Sequence, residues 1–235
     1  MKPQVRLLQN DWDVLIVLDA CRYDTFDNIY QNWLTGELIK TRSSGRDTTE
    51  WLVKTWRKKY DLTYLSGNPY INSQGVPYDG FHPTKHFTEI INVWDFGWNM
   101  ELGTVLPIEI NKAVLDHPRN KRMIIHYMQP HFPYIGRTGI YRRGGPCISR
   151  SHILRTKGRK RKQTPSPRLG KVDAYIETLD LGLQRVSELI PHLDGKIVVT
   201  SDHGELLGEG GIWGHGRKFG NRPELREVPW FEVAK

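Results

Sequence analysis

The sequence predicts an α/β fold with a mainly parallel central sheet, on two observations. Residues 14–18 (VLIVL) and 197–199 (IVV) are apolar at every position, as strands covered on both faces are. Ahead of the second run, residues 171–193 carry Val172, Ile176, Leu179, Leu183, Val186 and Ile190 on one helical stripe. Lys171, Asp173, Glu177, Gln184 and Glu188 lie away from it. That helix leads through Asp194 and Gly195 straight into a strand, the alternation of a parallel sheet.

The chain has 235 residues, enough for one α/β domain with a full core, so residues 1–235 read as a single domain. Two cysteines, Cys21 and Cys147, make no disulfide framework. No stretch approaches a membrane span, and the opening MKPQVRLLQNDWD lacks the apolar run of a secretory leader. The expectation is a soluble, cytoplasmic protein. The net charge of +8 suits anionic substrates or partners, and equally plain solubility.

In chain order, the first strand ends at Asp19 in DACRYD. In open parallel sheets ligands gather at the carboxyl ends of strands, which suits Asp19. Capping the following helix is its other reading. Arg22 either contacts an anionic substrate or pairs with Asp24, and Cys21 packs. Residues 34–40 read as a weak strand or a turn. Ser43, Ser44, Gly45, Asp47, Thr48 and Thr49 form a hydroxyl-rich loop. Trp51, Leu52, Thr55 and Trp56 have helical spacing, so a helix begins near Thr49, capped by Asp47 or Thr48, with Glu50 in its first turn. Such a helix start favours an anion.

Residues 62–65 read as a strand closed by Ser66, Gly67, Asn68 and Pro69, and 90–94 as a further strand. Residues 106–115 read as a helix with Pro107 in its first turn. Residues 122–127 form a strand that leads into HYMQPHFPY. There His131 stands between prolines and aromatics, where a histidine often packs, with His126 in a supporting position. Residues 136–170 read as a basic insertion. Its run RTKGRKRK opens with Arg155 and ends with Lys162, and is either a solvated loop or a flap for a polyanion. After residues 197–199 come Ser201, Asp202, His203 and Gly204. A carboxylate beside an imidazole suits Zn or Mn. The glycines at 204, 208, 210, 211, 214 and 216 let a loop bring His215 back over that pair.

Three motifs stand in order along the chain: the strand ending in DACRYD, His131-Phe132-Pro133-Tyr134, and SDHGE (201–205) followed by LGE (207–209) and HG (215–216). Together they resemble the alkaline phosphatase superfamily, and within it the sulfatase-like branch of arylsulfatases, phosphoethanolamine transferases and lipoteichoic acid synthases. The resemblance implies a three-layer α/β/α sandwich. It implies a metal-dependent hydrolase or transferase of phosphate esters, or less readily sulfate esters, acting on an anionic substrate. It places one divalent metal on Asp19, Thr48, Asp202 and His203, with Zn or Mn ahead of Mg or Ca. It makes Thr48 the nucleophile, with Thr49 the alternative, and puts His131, His215 and Arg22 on the substrate anion. Thr48 is preferred because Thr49 falls within the first helical turn, where its hydroxyl is committed to the backbone.

Some features depart from that pattern. Neither cysteine lies in a Cys-x-Pro/Ala-x-Arg motif, which favours phosphate over sulfate. No Asp-x-x-x-His pair occurs mid-chain, which favours a single metal. The interval from Asp19 to Thr48 is short, and the nucleophile loop lacks the usual proline. These leave a second reading, a catalytically degenerate scaffold that binds polyanions through residues 155–162.

Overall fold

The structure is a computed structural model that describes residues 1–9, 11–117, 122–138, 150 and 170–234. The chain opens with β1 (Lys2–Pro3), α1 (Gln4–Leu7), β2 (Val14–Asp19), α2 (Tyr23–Ile29), β3 (Gly36–Arg42), α3 (Thr48–Thr55) and β4 (Tyr60–Ser66). Next come α4 (Pro83–His86), β5 (Phe87–Asn92), α5 (Val93–Phe96), β6 (Trp98–Asn99), β7 (Thr104–Val105), α6 (Pro107–Asp116) and β8 (Met123–Pro130). The described chain closes with α7 (Lys171–Leu189), β9 (Ile197–Ser201), β10 (Leu206–Leu207), β11 (Trp213–Gly214) and β12 (Glu227–Val233). No described helix is long and apolar enough to cross a membrane.

Eight strands make one sheet in the order β1-β3-β12-β9-β2-β8-β4-β5. The run from β9 to β5 is parallel throughout, and β12 enters antiparallel between β3 and β9. The expected mainly parallel α/β architecture is what the chain adopts. Alternation along β2 explains the layers. Val14, Ile16 and Leu18 pack with Phe26 of α2, Ile110 and Val114 of α6, and Leu179, Leu183 and Val186 of α7. Leu15 and Val17 pack on the opposite face with Leu7 of α1 and Trp51 and Leu52 of α3. A strand clothed on both faces has no polar side, hence the unbroken VLIVL.

Strand register then places the site. Leu18 of β2 pairs with Ser201 of β9, so Asp19 and Asp202 leave the sheet side by side. Ser66 of β4 pairs with His126 of β8, which brings the loop after β4 to the same end.

Several sequence expectations shift. The weak strand at 34–40 is a full strand, β3, because β12 pairs along its whole length. Strand β5 ends at Asn92, and Val93 and Trp94 start a short helix. In α7 the buried face carries Ala174, Tyr175, Thr178, Leu179, Gly182, Leu183, Val186 and Leu189, while Val172 is 40% exposed and Ile176 half-buried. The first turns are rolled toward the sheet because the Tyr175 hydroxyl donates to Ala20 O (2.7 Å) and accepts from Arg22 N (3.0 Å). The anticipated insertion at 136–170, including Arg155, Lys162 and Cys147, lies almost wholly outside the described residues.

Leu183 is fully buried between α7 and the sheet. Leu183→Ala is expected to cost about 2–5 kcal/mol in urea unfolding. A loss under roughly 1 kcal/mol would contradict the packing of α7 described above.

Candidate active site

The carboxyl ends of β2, β8, β9 and β4 and the start of α3 converge on one buried polar cluster. Asp19 closes β2. Its Oδ2 accepts from Asn68 Nδ2 at 2.7 Å and lies 3.8 Å from His126 Nε2. Its Oδ1 faces His203 Nε2 at 3.6 Å and has no hydrogen-bond partner. Asp19 does not cap α2, whose N-cap is Arg22. Asp202 anchors the loop after β9. Its Oδ1 accepts from the backbone N–H groups of Ala20 and His203, and its Oδ2 accepts the Thr48 hydroxyl at 2.8 Å. Gly204 is required here, because a Cβ would collide with the Glu224 carbonyl oxygen.

His203 Nδ1 donates to Gly204 O at 2.8 Å, since a carbonyl can only accept. That leaves the Nε2 lone pair pointing at Asp19 Oδ1, Asp202 Oδ2 (3.5 Å) and Thr48 Oγ1 (3.4 Å). Burial and the neighbouring His215 hold His203 down at about 3. Burial holds His126 at about 4. Both imidazoles are therefore neutral near pH 7, the form that ligates metals. Burial first, and then the Asp202 charge, push the Asp19 carboxyl well above its ordinary range, against the pull of Asn68.

This donor set fits a divalent ion. Ligands at about 2.0–2.2 Å around a tetrahedral centre lie about 3.3–3.6 Å apart. The 3.4, 3.5 and 3.6 Å separations from His203 Nε2 match that spacing, while Thr48 and Asp202, hydrogen-bonded at 2.8 Å, stand closer together. Asp19 Oδ1 and His126 Nε2 are buried polar atoms without partners, which a cation would satisfy. Asp19, His126 and Asp202 also present ligand atoms within 4.8 Å of one another.

The α3 start separates the two threonines. Asp47, not Thr48, is the N-cap, accepting from Glu50 N at 2.8 Å. Thr48 is the first helical residue, with its hydroxyl in the cluster. The Thr49 hydroxyl contacts Asp47, Asp79 and Arg217 instead, on the exposed side. Thr49 is thus committed to side chains rather than to the backbone.

His131 and His215 stand over the cluster. The His215 ring lies 4.4 Å from that of His203 and 5.0 Å from that of His131, centroid to centroid. His215 Nδ1 donates to Glu205 Oε2 at 3.0 Å. Burial pulls His215 down, but the Glu205 charge and hydrogen bond outweigh it and raise its pKa. His131 Nδ1 donates to Phe132 O, and burial with the His215 charge lowers its pKa.

Arg22 does not join this group. Its guanidinium is gripped by Asp24 and Glu209 and also donates to Glu205 O. It braces the loop after His203, and its pairing with Asp24 is the reading the structure supports. Sequence reasoning gave no role to Asn68 or Glu205 and only a supporting one to His126. Asn68 lay in a segment read as a turn. Glu205 was inside the SDHGE motif, but its partner was ten residues away.

Because the folded-state pKa of Asp19 lies above its unfolded value, the unfolded chain loses that proton first. Stability therefore falls as pH rises through the interval between them. Asp19→Asn should raise the melting temperature of the metal-free protein at neutral pH, by about 2–4 °C per kcal/mol of relieved strain. The gain should fade as the pH drops toward about 4. A lower melting temperature at every pH would show that the carboxylate is not under strain.

No family model matches the chain. A sulfotransferase of low-salt glycan biosynthesis, Agl7 of Haloferax volcanii, is 25% identical over 242 residues, covering 94% of this chain and 54% of that protein. The chain thus spans about half the length of that curated relative. Three solved structures are similar in fold. One is the integral membrane lipooligosaccharide phosphoethanolamine transferase A of Neisseria meningitidis (TM-score 0.59, 16% identity, 95% of this chain and 48% of that one). The second is the lipoteichoic acid synthase LtaP of Listeria monocytogenes (0.51, 13%, 94% and 64%). The third is a Zn complex of the periplasmic domain of EptC from Escherichia coli (0.51, 12%, 96% and 74%). The chain shares the fold of these structures.

Proposed function

We propose that the chain transfers or hydrolyses phosphate esters, and less readily sulfate esters, through Thr48, with one divalent ion, Zn or Mn, on Asp19, Thr48, Asp202 and His203. The observation that carries this reading is the Thr48 hydroxyl. It heads a helix, donates to Asp202 Oδ2 at 2.8 Å and lies 3.4 Å from a neutral His203 Nε2. His126, with its unpartnered Nε2, belongs to the same reading as an inner donor. A bound divalent ion would lower the pKa of the Thr48 hydroxyl and neutralise charge on the transferring group.

The chain's own residues account for the rest. Asp202 Oδ2 takes the Thr48 proton, and Thr48 Oγ1 attacks phosphorus as the bond to the leaving oxygen breaks. The leaving oxygen takes a proton from His215 Nε2, whose charged form Glu205 favours. His131 presents a neutral Nε2 that can take the proton of an incoming water or alcohol. That second attack releases the phosphoryl group, Asp202 returns the proton to Thr48, and the proton taken by His131 passes through solvent to replace the one His215 gave up. Water as acceptor makes the reaction a hydrolysis, and an alcohol makes it a transfer. The Agl7 likeness keeps sulfate within range, while the two transferase and synthase structures and the absence of a formylglycine motif favour phosphate.

The experiment is a screen of phosphomonoesters, phosphodiesters and sulfate esters with Zn, Mn and Mg, repeated on two variants. Thr48→Ala should keep its fold and lose at least about 10³-fold in rate, whereas Thr49→Ala should lose less than about 10-fold. Acid quench of the wild type should leave a phosphoryl adduct on the peptide that holds Thr48. A dead Thr49 variant beside an active Thr48 variant would move the nucleophile by one residue. Full activity in both would remove the covalent step.

A further inference from the structure

We propose that Gln4 is a positioning residue that sets the distance between the two halves of the metal-ligand set; this rests on the metal reading above. Gln4 is fully buried, and it lies far in sequence from Thr48, Asp202 and His203. Its amide joins two elements. Nε2 donates to Ser201 O at 2.6 Å and to Thr200 Oγ1 at 2.8 Å, both at the end of β9. Oε1 accepts from Trp51 Nε1 at 3.0 Å, in the second turn of α3.

Chemistry fixes the orientation of this amide. An indole N–H can only donate, so the amide oxygen must face Trp51. A carbonyl can only accept, so the amide nitrogen must face Ser201. The Thr200 hydroxyl gives its own proton to Pro229 O at 2.6 Å, leaving a lone pair for Gln4. Every hydrogen-bonding atom of the Gln4 amide is used, and no other assignment satisfies its neighbours.

The ends of this clasp adjoin the ligands. Ser201 directly precedes Asp202. Trp51 follows Thr48 by three residues and so lies on the same face of α3. Thr48 and Asp202 come from segments 154 residues apart. Gln4 ties those segments together one residue from one ligand and one turn from the other. The Trp51 ring also lies edge-on to the His126 ring, with centroids 6.4 Å apart. Losing the clasp takes the partner from a buried indole N–H and one donor from a buried carbonyl at the end of β9, which removes the direct tie that holds α3 against β9. Outer groups that hold metal ligands in place are worth about 10–100-fold in affinity.

The test measures Zn(II) and Mn(II) dissociation constants by chelator competition, together with urea unfolding of the metal-free protein. Gln4→Met keeps the volume and removes the hydrogen bonds, and Trp51→Phe removes the α3 end alone. Each should weaken binding about 10–100-fold. Because both break one clasp, the double variant should bind no more weakly than the weaker single. At saturating metal, kcat should fall with little change in KM. Leu183→Ala, which destabilises from the other face of the sheet, should leave the metal constants unchanged. Binding by Gln4→Met within about two-fold of wild type would overturn the proposal. So would weakening no greater than that of the Leu183 control, or additive losses in the double variant. If Gln4→Met does not fold, Trp51→Phe still decides. A wild type that binds neither ion would sink the metal reading itself.

Discussion

Two buried carboxylates, Asp19 and Asp202, share the carboxyl end of the sheet, and the rest of the structure answers to that constraint. Like charges out of water repel and lose hydration, so the metal-free pair is held at a cost to stability. The protein manages it with fixed donors. Asp202 Oδ1 takes two backbone N–H groups, its Oδ2 takes the Thr48 hydroxyl, and Asp19 takes the Asn68 amide. Asp19 Oδ1 is left unpartnered beside the neutral His203 Nε2, and the neutral His126 Nε2 lies by Oδ2 of the same carboxylate. A cluster this short of positive charge has stability to gain from a cation.

Four histidines around one site differ in what their Nδ1 atoms hold. Nδ1 of His203 and of His131 donates to a backbone carbonyl and burial favours the neutral ring, whose Nε2 is then free. His126 Nδ1 lies 2.8 Å from the Tyr64 hydroxyl, deep beneath the site. His215 instead meets the carboxylate of Glu205 and is pushed toward its charged form. One residue type thus offers free ring nitrogens and a protonation-prone ring within a few ångströms, because the partner of the distal nitrogen decides the character of each.

The loops that carry these groups are braced from outside. Arg22 clamps Glu209 and the Glu205 carbonyl, which holds the chain after His203. Arg217 pairs with Asp47 and Asp79, tying the loop after His215 to the cap of α3. Arg46 O accepts from Gly216 N at 2.9 Å across the same seam. These contacts immobilise three loops around a site whose chemistry depends on sub-ångström placement.

Much of this was legible in the residues. The unbroken apolar runs at 14–18 and 197–199 announced strands covered on both faces, and Asp19 and Asp202 stood at their ends. Thr48 and Thr49 were placed at a helix start by the spacing of Trp51, Leu52 and Thr55, because helical periodicity is local. Other features were not legible. Strand β3 looked weak because its stability comes from β12, which follows it by nearly two hundred residues. Arg22 could have faced a substrate or an acid, and only the folded position of Glu209 chose. The sequence by itself determined the layer pattern and the chemical inventory, because side-chain alternation and residue type belong to the local chain. Tertiary structure alone decided which groups share the site, since strand register and the packing of α3 against β9 bring residues 154 positions apart into a 2.8 Å hydrogen bond.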